Sequence, residues 1–320
     1  MTDQAHGVWA EAAREHERYL WGLCYRMTGV AADADELVQE TFARALTSPP
    51  RRQEDLRPWL TRVAVNLSRD ALRRRRREAY VGPWLPSPLE TGEEEEVAPS
   101  AEARLPGGGS TEGRYELLES VSYAFLLALE ALTPKQRAVL LLRDVFDSTV
   151  REVADALDMS EVHVKVVHHR ARAAMAAYNG ARCLPTKELQ ERTRVALESF
   201  LGALVTRDVA AAEALLADDV RALSDGGGEV RAAQVPLVGP RQVMQFLTRL
   251  MVLRGPPLSV ELQGLNGLPA LAMTFAPDKD PMHATRGVFR VELGADGRIA
   301  HIHAVLTTRK LAGVRIPPPA

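Results

Sequence analysis

The sequence is poor in cysteine, in aromatic residues and in long apolar runs. Its 320 residues include two cysteines, Cys24 and Cys183, and aromatic residues make up 5% of the chain. Two cysteines so far apart exclude a disulfide framework and a zinc-finger pattern, and they suit a reducing compartment. No apolar run is long enough to span a bilayer, and acidic residues near the first methionine argue against a signal peptide. We therefore expect a cytoplasmic protein without a membrane partner, a metal site or a cofactor.

The charges nearly cancel, at a net −2, but they are unevenly distributed along the chain. A chain of this length is expected to form two or three domains. Residues 5–78 and 114–182 contain long stretches without glycine or proline and are predicted to be helical. Residues 79–113, rich in proline, glycine and glutamate, are predicted to be a flexible linker. Residues 189–312 change to helices followed by alternating strands, which predicts an α+β domain.

Residues 133–175 have the pattern of a helix-turn-helix. Thr133 and Gln136 form a capping box with Pro134 at the first helical position, and Ser160 caps a later helix. The first helix of the pair buries Val150, Val153, Ala154 and Leu157, and the second has an inner stripe of Val164, His168, Ala171 and Met175. The outer side of the second helix carries Lys165, His169, Arg170 and Arg172, and the amide groups behind Ser160 suit a phosphate. The alternative is a plain helical hairpin with a solvated basic face.

A second basic element lies at residues 57–77. Leu60, Val63, Ala64, Leu67 and Ala71 predict a buried stripe. The opposite stripe consists of Arg62, Asn66, Arg69, Arg73 and Arg76, with Arg77 beside it. A helix that is buried on one side and lined with arginine on the other is suited to a phosphate backbone. Upstream, a helix that opens at Asp35 presents Asp35, Glu36, Gln39 and Glu40, and such an acidic face favours a protein partner over DNA.

These elements together resemble the extracytoplasmic-function sigma factors of the sigma-70 family. The Asp35–Phe42 stretch is similar to region 2.2, which in that family docks on RNA polymerase core. The arginine helix is similar to region 2.4, which handles the −10 element, and the helix-turn-helix is similar to region 4, which reads the −35 element. The resemblance implies RNA polymerase core enzyme and promoter DNA as partners. The sequence departs from the family at Val166, Val167 and His168, where two valines on or near the DNA face predict fewer phosphate contacts.

The C-terminal block resembles the SnoaL-like cone fold, in which helices precede a curved antiparallel sheet. A subgroup of these sigma factors carries such an extension, and three of its motifs recur here in order. They are Trp84-Leu85-Pro86, Asp225-Gly226-Gly227-Gly228 and Asn266-Gly267-Leu268-Pro269-Ala270. The resemblance implies a multidomain protein with two all-α sigma domains and a C-terminal α+β cone. It also implies that the extension acts on the linker and on the DNA-binding domains in cis through residues of the first two motifs.

The cone fold encloses a pocket, so a small ligand is a further expected partner. The pocket also leaves open an enzyme, with Asp225, His283, His301 and His303 as candidates for proton transfer. We predict no catalysis, because contacts between separate strands cannot be read from spacing. Two alternatives therefore remain beside the sigma factor. One is an effector-binding transcription regulator, and the other is a SnoaL-like enzyme fused to a DNA-binding module.

Overall fold

The computed structural model describes residues 3–48, 56–78, 80–91, 117–180 and 184–318. The chain divides into two compact units. The first comprises the described residues up to 78 together with 117–180. The second comprises residues 80–91 and 184–318. Among the described residues, no helix combines the length and the apolar character needed to cross a membrane.

The first unit is all-helical. Its helices are α1 (Asp3–Thr28), α2 (Ala31–Thr47), α3 (Leu56–Arg77), α4 (Tyr123–Ala128), α5 (Pro134–Leu140), α6 (Val150–Leu157), α7 (Glu161–Ala174) and α8 (Ala176–Gly180). A 3₁₀ turn follows α4 at Leu129–Ala131, and a π-helical turn follows α5 at Leu141–Val145. The predicted capping box at Thr133 is present, and a second one at Thr149 starts α6. The predicted helical blocks are thus confirmed as helical where the structure describes them.

Two buried arginines hold the first unit together. The Arg137 guanidinium donates to the carbonyls of Met27 and Leu129, both at 2.7 Å, and to Glu130 at 2.9 Å. Arg26 donates to the Ser120 hydroxyl at 2.6 Å, and burial lowers the pKa of Arg26 to about 10. Because a buried cation needs hydrogen-bond acceptors, these contacts fix the end of α1 against the segment around α4 and α5.

The second unit contains helices α9 (Lys187–Thr206), α10 (Val209–Ala214), α11 (Pro240–Arg254) and α12 (Thr308–Leu311). Its strands are β1 (Leu216–Asp225), β2 (Leu237–Val238), β3 (Ser259–Leu265), β4 (Leu268–Thr274), β5 (Arg286–Leu293) and β6 (Ile299–Val305). They form one sheet in the order β2-β1-β6-β5-β4-β3. β1 and β6 are parallel, and every other neighbouring pair is antiparallel. The predicted α+β class is confirmed.

Helices α9 and α11 cover one face of this sheet. Phe200 of α9, Val243 of α11 and Ile302 of β6 belong to its buried apolar core. The β3–β4 hairpin turns at Asn266 and Gly267, both at positive φ, and such a two-residue turn favours this residue pair. Gly297, at φ 80°, turns the β5–β6 hairpin.

Candidate nucleic-acid interface and linker strap

The arginine helix α3 buries a different stripe from the predicted one. Its buried residues are Leu56, Leu60, Thr61, Ala64, Val65, Ser68 and Leu72, whereas Val63, Leu67 and Ala71 are only half-buried. The buried stripe is rotated by roughly 70° from the prediction at 100° per residue. The hydroxyls explain the rotation, because Thr61 donates to the Arg57 carbonyl at 2.8 Å and Ser68 to the Ala64 carbonyl at 2.8 Å. A hydroxyl satisfied within its own helix can be buried at low cost.

The arginines of α3 face different surroundings. Arg73, Arg76 and Arg77 are exposed and line a shallow surface together with Asp70, which accepts from Arg73 at 3.1 Å. Such an open group of cations can exchange its water for phosphate oxygens without breaking a buried contact. Asn66 is exposed and accepts from Arg69, which is half-buried, at 3.2 Å.

Arg62 is bonded within the first unit. Its guanidinium donates to the carbonyl of Ala156 at 3.2 Å and to the carbonyl of Asp155. Both carbonyls belong to the last turn of α6, where helix carbonyls lack partners in their own helix. Arg62 therefore caps the first helix of the predicted helix-turn-helix. Arg75, which was not singled out from the sequence, donates in a similar way to the Thr28 carbonyl at 3.1 Å and to Glu130 at 2.5 Å.

Helix α2 carries the predicted acidic face. Glu36, Gln39 and Glu40 are exposed, and Glu40 pairs with Arg44 at 2.9 Å. Asp35 does not open the helix, which begins at Ala31 after Val30. It is half-buried and accepts a hydrogen bond from the Trp21 indole at 2.9 Å, which ties α2 to α1.

Helices α6 and α7 form a helical pair joined at Asp158, which lies in the left-handed region at φ 53°. Ser160 caps α7 by accepting from the His163 amide at 3.2 Å. Val164, Ala171 and Met175 are buried, as predicted, but Val167 joins them at 7% exposure. The expectation that two valines lie on or near the outer face is corrected by this burial. Val166, at 42% exposure, is on that face, together with Val162.

The outer side of α7 exposes Lys165, His169 and Arg170. Arg172 is also exposed, but it donates to Asp144 at 3.0 Å. His168 lies 2.7 Å from the other oxygen of Asp144 and is half-buried. Asp144 thus joins α7 to the turn after α5, and His168 has a structural partner on the inner side of the helix.

Residues 80–91 form a segment, named the strap here, that is bonded to the second unit. At its first end, Asp225 accepts from the Tyr80 hydroxyl at 2.5 Å and from the Leu85 amide at 2.7 Å. Lys310 donates to Asp225 at 2.5 Å and to the Leu85 carbonyl at 2.6 Å. Asp225 and Lys310 are 0% and 5% exposed, and the Lys310 ammonium lies 4.7 Å from the ring centroid of Trp84. For residues 80–91 the structure therefore differs from the flexible linker predicted over 79–113, since these buried bonds give the segment one position.

The second end of the strap is bonded to the β3–β4 turn. The Leu89 amide donates to the Asn266 side chain at 2.8 Å, and the Asn266 amide donates back to the Leu89 carbonyl at 2.8 Å. The Thr91 amide donates to the Gly264 carbonyl at 2.8 Å. Leu85 and Leu89 are fully buried and Pro86 is buried. The three sequence motifs thus meet along one segment.

The glycines after Asp225 allow close approach to the strap. A Cβ on Gly227, which has φ 54°, would lie 2.6 Å from a methyl of Thr307 and 3.0 Å from the Tyr80 hydroxyl. A Cβ on Gly226 would lie 2.3 Å from the Val230 carbonyl, and one on Gly228 would touch Val81. Only glycine fits the first two positions without displacement. Glu229 follows and accepts from the Thr308 amide at 3.0 Å.

The four candidate proton-transfer groups do not come together. His283 lines an apolar cavity on the helix-covered face of the sheet. Asp225 belongs to the strap network, while His301 and His303 stack on β6 with ring centroids 5.9 Å apart. Burial lowers the pKa of His303 to about 4, against the opposing effect of Glu292.

Comparison with known proteins identifies the N-terminal half. A model of sigma-70 region 2 matches residues 12–78, and a model of sigma-70 region 4 matches residues 122–175. The ECF RNA polymerase sigma factor SigG of Mycobacterium tuberculosis is 33% identical over 96% of this chain and 83% of its own length. This chain belongs to the ECF RNA polymerase sigma factors. The resemblance drawn from the sequence is confirmed.

The similarity of this ECF sigma factor to its relatives includes the C-terminal block. The ECF RNA polymerase sigma factor SigJ of M. tuberculosis is 29% identical over 95% of this chain and 92% of its own length. The crystal structure of the M. tuberculosis extracytoplasmic function sigma factor SigJ matches with a TM-score of 0.70 at 25% identity. The match covers 96% of this chain and 100% of that one. The helical sigma domains and the α+β SnoaL-like domain are thus both present.

Two residues of the strap network were not predicted from the sequence of this sigma factor. Tyr80 and Lys310 lie 230 positions apart, and nothing local marks either as a partner of Asp225.

Proposed function

We propose that this sigma factor binds RNA polymerase core enzyme and directs it to promoters. The exposed cations Arg73, Arg76 and Arg77 of α3 would contact the −10 region, with Asn66 and Arg69 beside them. The −35 region would be met by Ser160, Lys165, His169 and Arg170. The observation that carries the proposal is that the two basic faces occur, in order, on the segments that match sigma-70 regions 2 and 4.

Two of the predicted DNA contacts would come at a structural cost. Arg62 would have to leave the last turn of α6, and Arg172 would have to leave Asp144. We therefore assign Arg62 and Arg172 a weaker part in DNA binding than Arg73, Arg76 and Arg77, although all five are exposed. The acidic face of Glu36, Gln39 and Glu40 is proposed as the surface for polymerase core, since it is exposed and carries the opposite charge to a DNA-binding face.

A promoter-directed transcription assay with core polymerase tests this function. Arg73→Ala with Arg76→Ala is expected to reduce transcript yield at least tenfold and to flatten the salt dependence of promoter binding. Arg194→Ala, which changes a half-buried arginine of α9 paired with Glu191 and Glu198, is the control. Equal loss in both variants, or DNA binding by the chain alone that is as strong as with core, would reject the sigma assignment of these residues.

We further propose that the SnoaL-like domain regulates the sigma domains in cis by holding the strap. The supporting observation is chain connectivity, because Tyr80 follows Glu78, the last described residue after α3, by two positions. A domain that fixes residues 80–91 restricts how the chain can leave the arginine helix. Leu85→Asp, which places a charge among buried groups, is expected to release the strap and to change transcript yield several-fold. Unchanged yield would reject regulation through the strap while leaving the sigma function in place.

A further inference from the structure

The second unit contains a cavity of about 340 Å³ between α9, α11 and the sheet. Its walls are overwhelmingly apolar and include Phe200, Leu204, Phe246, Leu271 and Phe289. Leu250 and Leu253 also line it and are 41% and 68% exposed, so the cavity reaches the surface beside the last turns of α11. A core that needed only internal packing would close such a space, since protein interiors contain few voids larger than a water molecule.

The polar groups that line the cavity lie at one end of it. Ser224 stands at the end of β1, next to Ala304 of β6. Arg231 follows in the loop after β1, and His283 lies in the loop between β4 and β5. These elements meet at the same edge of the sheet, while α9 contributes only Phe200, Leu201 and Leu204 to the lining.

The charges at this end are neutralised by two aspartates. Asp280 pairs with Arg231 at 2.8 Å, and Asp278 pairs with Arg254 at 3.0 Å and with His283 at 2.9 Å. Hydrogen bonds from His283 and from the Asp280 amide hold the pKa of the Asp278 carboxyl below its usual value. An anionic ligand would have to displace a carboxylate, so the Ser224 hydroxyl is the polar group best placed to meet a neutral ligand.

We propose that this cavity binds a neutral, largely apolar molecule with one hydrogen-bonding group at the Ser224 end, and that its occupancy tightens the strap. An apolar cavity of about 150 Å³ stays dry and accepts benzene, so 340 Å³ suits a compound of two or three fused rings or similar bulk. The volume is also within the range of about 300–1,000 Å³ that small-molecule sites occupy.

The path from cavity to strap is two residues long. Ser224 faces the cavity, whereas the next residue, Asp225, bonds Tyr80, Leu85 and Lys310. The loop that follows carries Gly227 beneath Tyr80 and Arg231 on the cavity. A molecule that fills the cavity holds the end of β1 and this loop in the strap-bound arrangement, which it stabilises by mass action. The regulatory consequence rests on the proposed cis regulation, but ligand binding itself does not.

Binding can be tested on the full chain with prodan, a neutral naphthalene ketone whose emission shifts to the blue in apolar surroundings. We expect a saturable blue shift that Ala304→Phe and Met273→Trp, which fill the cavity, reduce at least tenfold in affinity. Thr248→Phe introduces the same phenyl ring on the exposed face of α11, outside the cavity, and is expected to bind prodan normally. Ser224→Ala is expected to weaken prodan several-fold, and the anion anilinonaphthalene sulfonate is expected to bind less tightly than prodan.

Two results would overturn the binding claim. One is equal prodan binding by the Thr248→Phe variant and both cavity-filling variants, and the other is tighter binding of the anion. Coupling is read from amide hydrogen exchange at Leu85, Leu89 and Thr91, which we expect prodan to slow at least threefold. Exchange at the strap that prodan leaves unchanged would reject the coupling. Neither experiment involves polymerase, so failure here is distinguishable from failure of the sigma function, which is read by transcription.

Discussion

The arginine helix and the strap handle charge in opposite ways. In α3, Arg73, Arg76 and Arg77 keep their charges on the surface, where the ion pair between Arg73 and Asp70 is exposed. At the strap, Lys310 and Asp225 are almost completely buried. The two groups pair with each other, and both also form hydrogen bonds with the backbone of Leu85.

Exposed and buried ion pairs suit different roles. An exposed ion pair contributes little stability, so surface arginines remain available for an external phosphate. A buried pair is costly to form and stabilises only the geometry that satisfies it fully. Surface charge therefore suits binding to a partner, whereas buried charge suits fixing one segment of chain in one place.

The largest expected effect comes from removing the buried cation. Lys310→Met leaves Asp225 charged and buried without its counter-ion, which should cost about 3–5 kcal/mol of stability in the sheet. Amide hydrogen exchange of β1 and β6 measures this loss directly. Lys187→Met, an exposed lysine at the start of α9, should change the same amides little.

A second substitution distinguishes the effect of the unpaired buried charge from a simple loss of packing. Adding Asp225→Asn to Lys310→Met removes the orphaned charge, so part of the lost stability should return. If the double variant is as unstable as the sum of the two single ones, the burial of charge is not what fixes the strap.

The next effect is steric and concerns the glycine loop. Gly227→Ala forces a Cβ into the left-handed region and against Thr307 and Tyr80, which should cost about 1–3 kcal/mol. Gly202→Ala, in α9 with open space around it, should instead stabilise by about 0.5–1 kcal/mol. Thermal unfolding of the two variants gives the comparison, and the same sign in both would contradict it.

The third effect is a pH dependence of the second unit. Since burial lowers the pKa of His303 from 6.5 to about 4, stability is full above pH 6.5 and falls as the pH drops toward 4. The slope is about 1.4 kcal/mol per pH unit for one proton. Below the ordinary pKa of Glu292, protonation of that residue adds a further loss. Burial alone would raise the pKa of Glu292, but the charges of His303 and Arg290 lower it overall.

Hydrogen exchange of the β5 and β6 amides between pH 4 and pH 7, corrected for the intrinsic rates, measures this slope. In His303→Asn the slope above pH 4.5 should disappear. The variant His163→Gln, which changes an exposed histidine of α7, should keep the wild-type slope. A slope that persists in His303→Asn would show that another group takes up the proton.

The smallest effect divides the arginines of α3 among themselves. Arg62→Ala removes the bonds to the α6 carbonyls and should lower the stability of the first unit by about 1 kcal/mol. Arg73→Ala should leave that stability unchanged, because its ion pair is exposed. Chemical unfolding of both variants tests this, and equal stabilities would mean that Arg62 is as available to DNA as Arg73.

Local patterns made much of the fold predictable. Capping residues marked the helix starts at Thr133 and Ser160. Alternating apolar residues indicated the later strands. The stripe of α3 was misplaced because Thr61 and Ser68 count as polar in a pattern, although hydrogen bonds within the helix allow their burial.

The candidate sites were less predictable where they depend on distant residues. Motif matches indicated Trp84, Asp225 and Asn266, but not that one segment connects them. Neither the bond of Arg62 to α6 nor the partnership of Lys310 with Tyr80 follows from spacing, because each joins residues far apart in the chain. The cavity likewise arises from the gap between packed elements, which no single segment encodes.

The distance along the chain between the strap and Lys310 has a consequence for synthesis. Leu85 and Lys310 are 225 positions apart, so the strap leaves the ribosome long before its partner exists. Domains of a growing chain fold in order from the N-terminus. The segments matching sigma regions 2 and 4 are therefore complete while Leu85 and Leu89 still lack their cover. The closure of the strap is consequently one of the last events of folding, and a chain interrupted before Lys310 carries both sigma segments without this restraint.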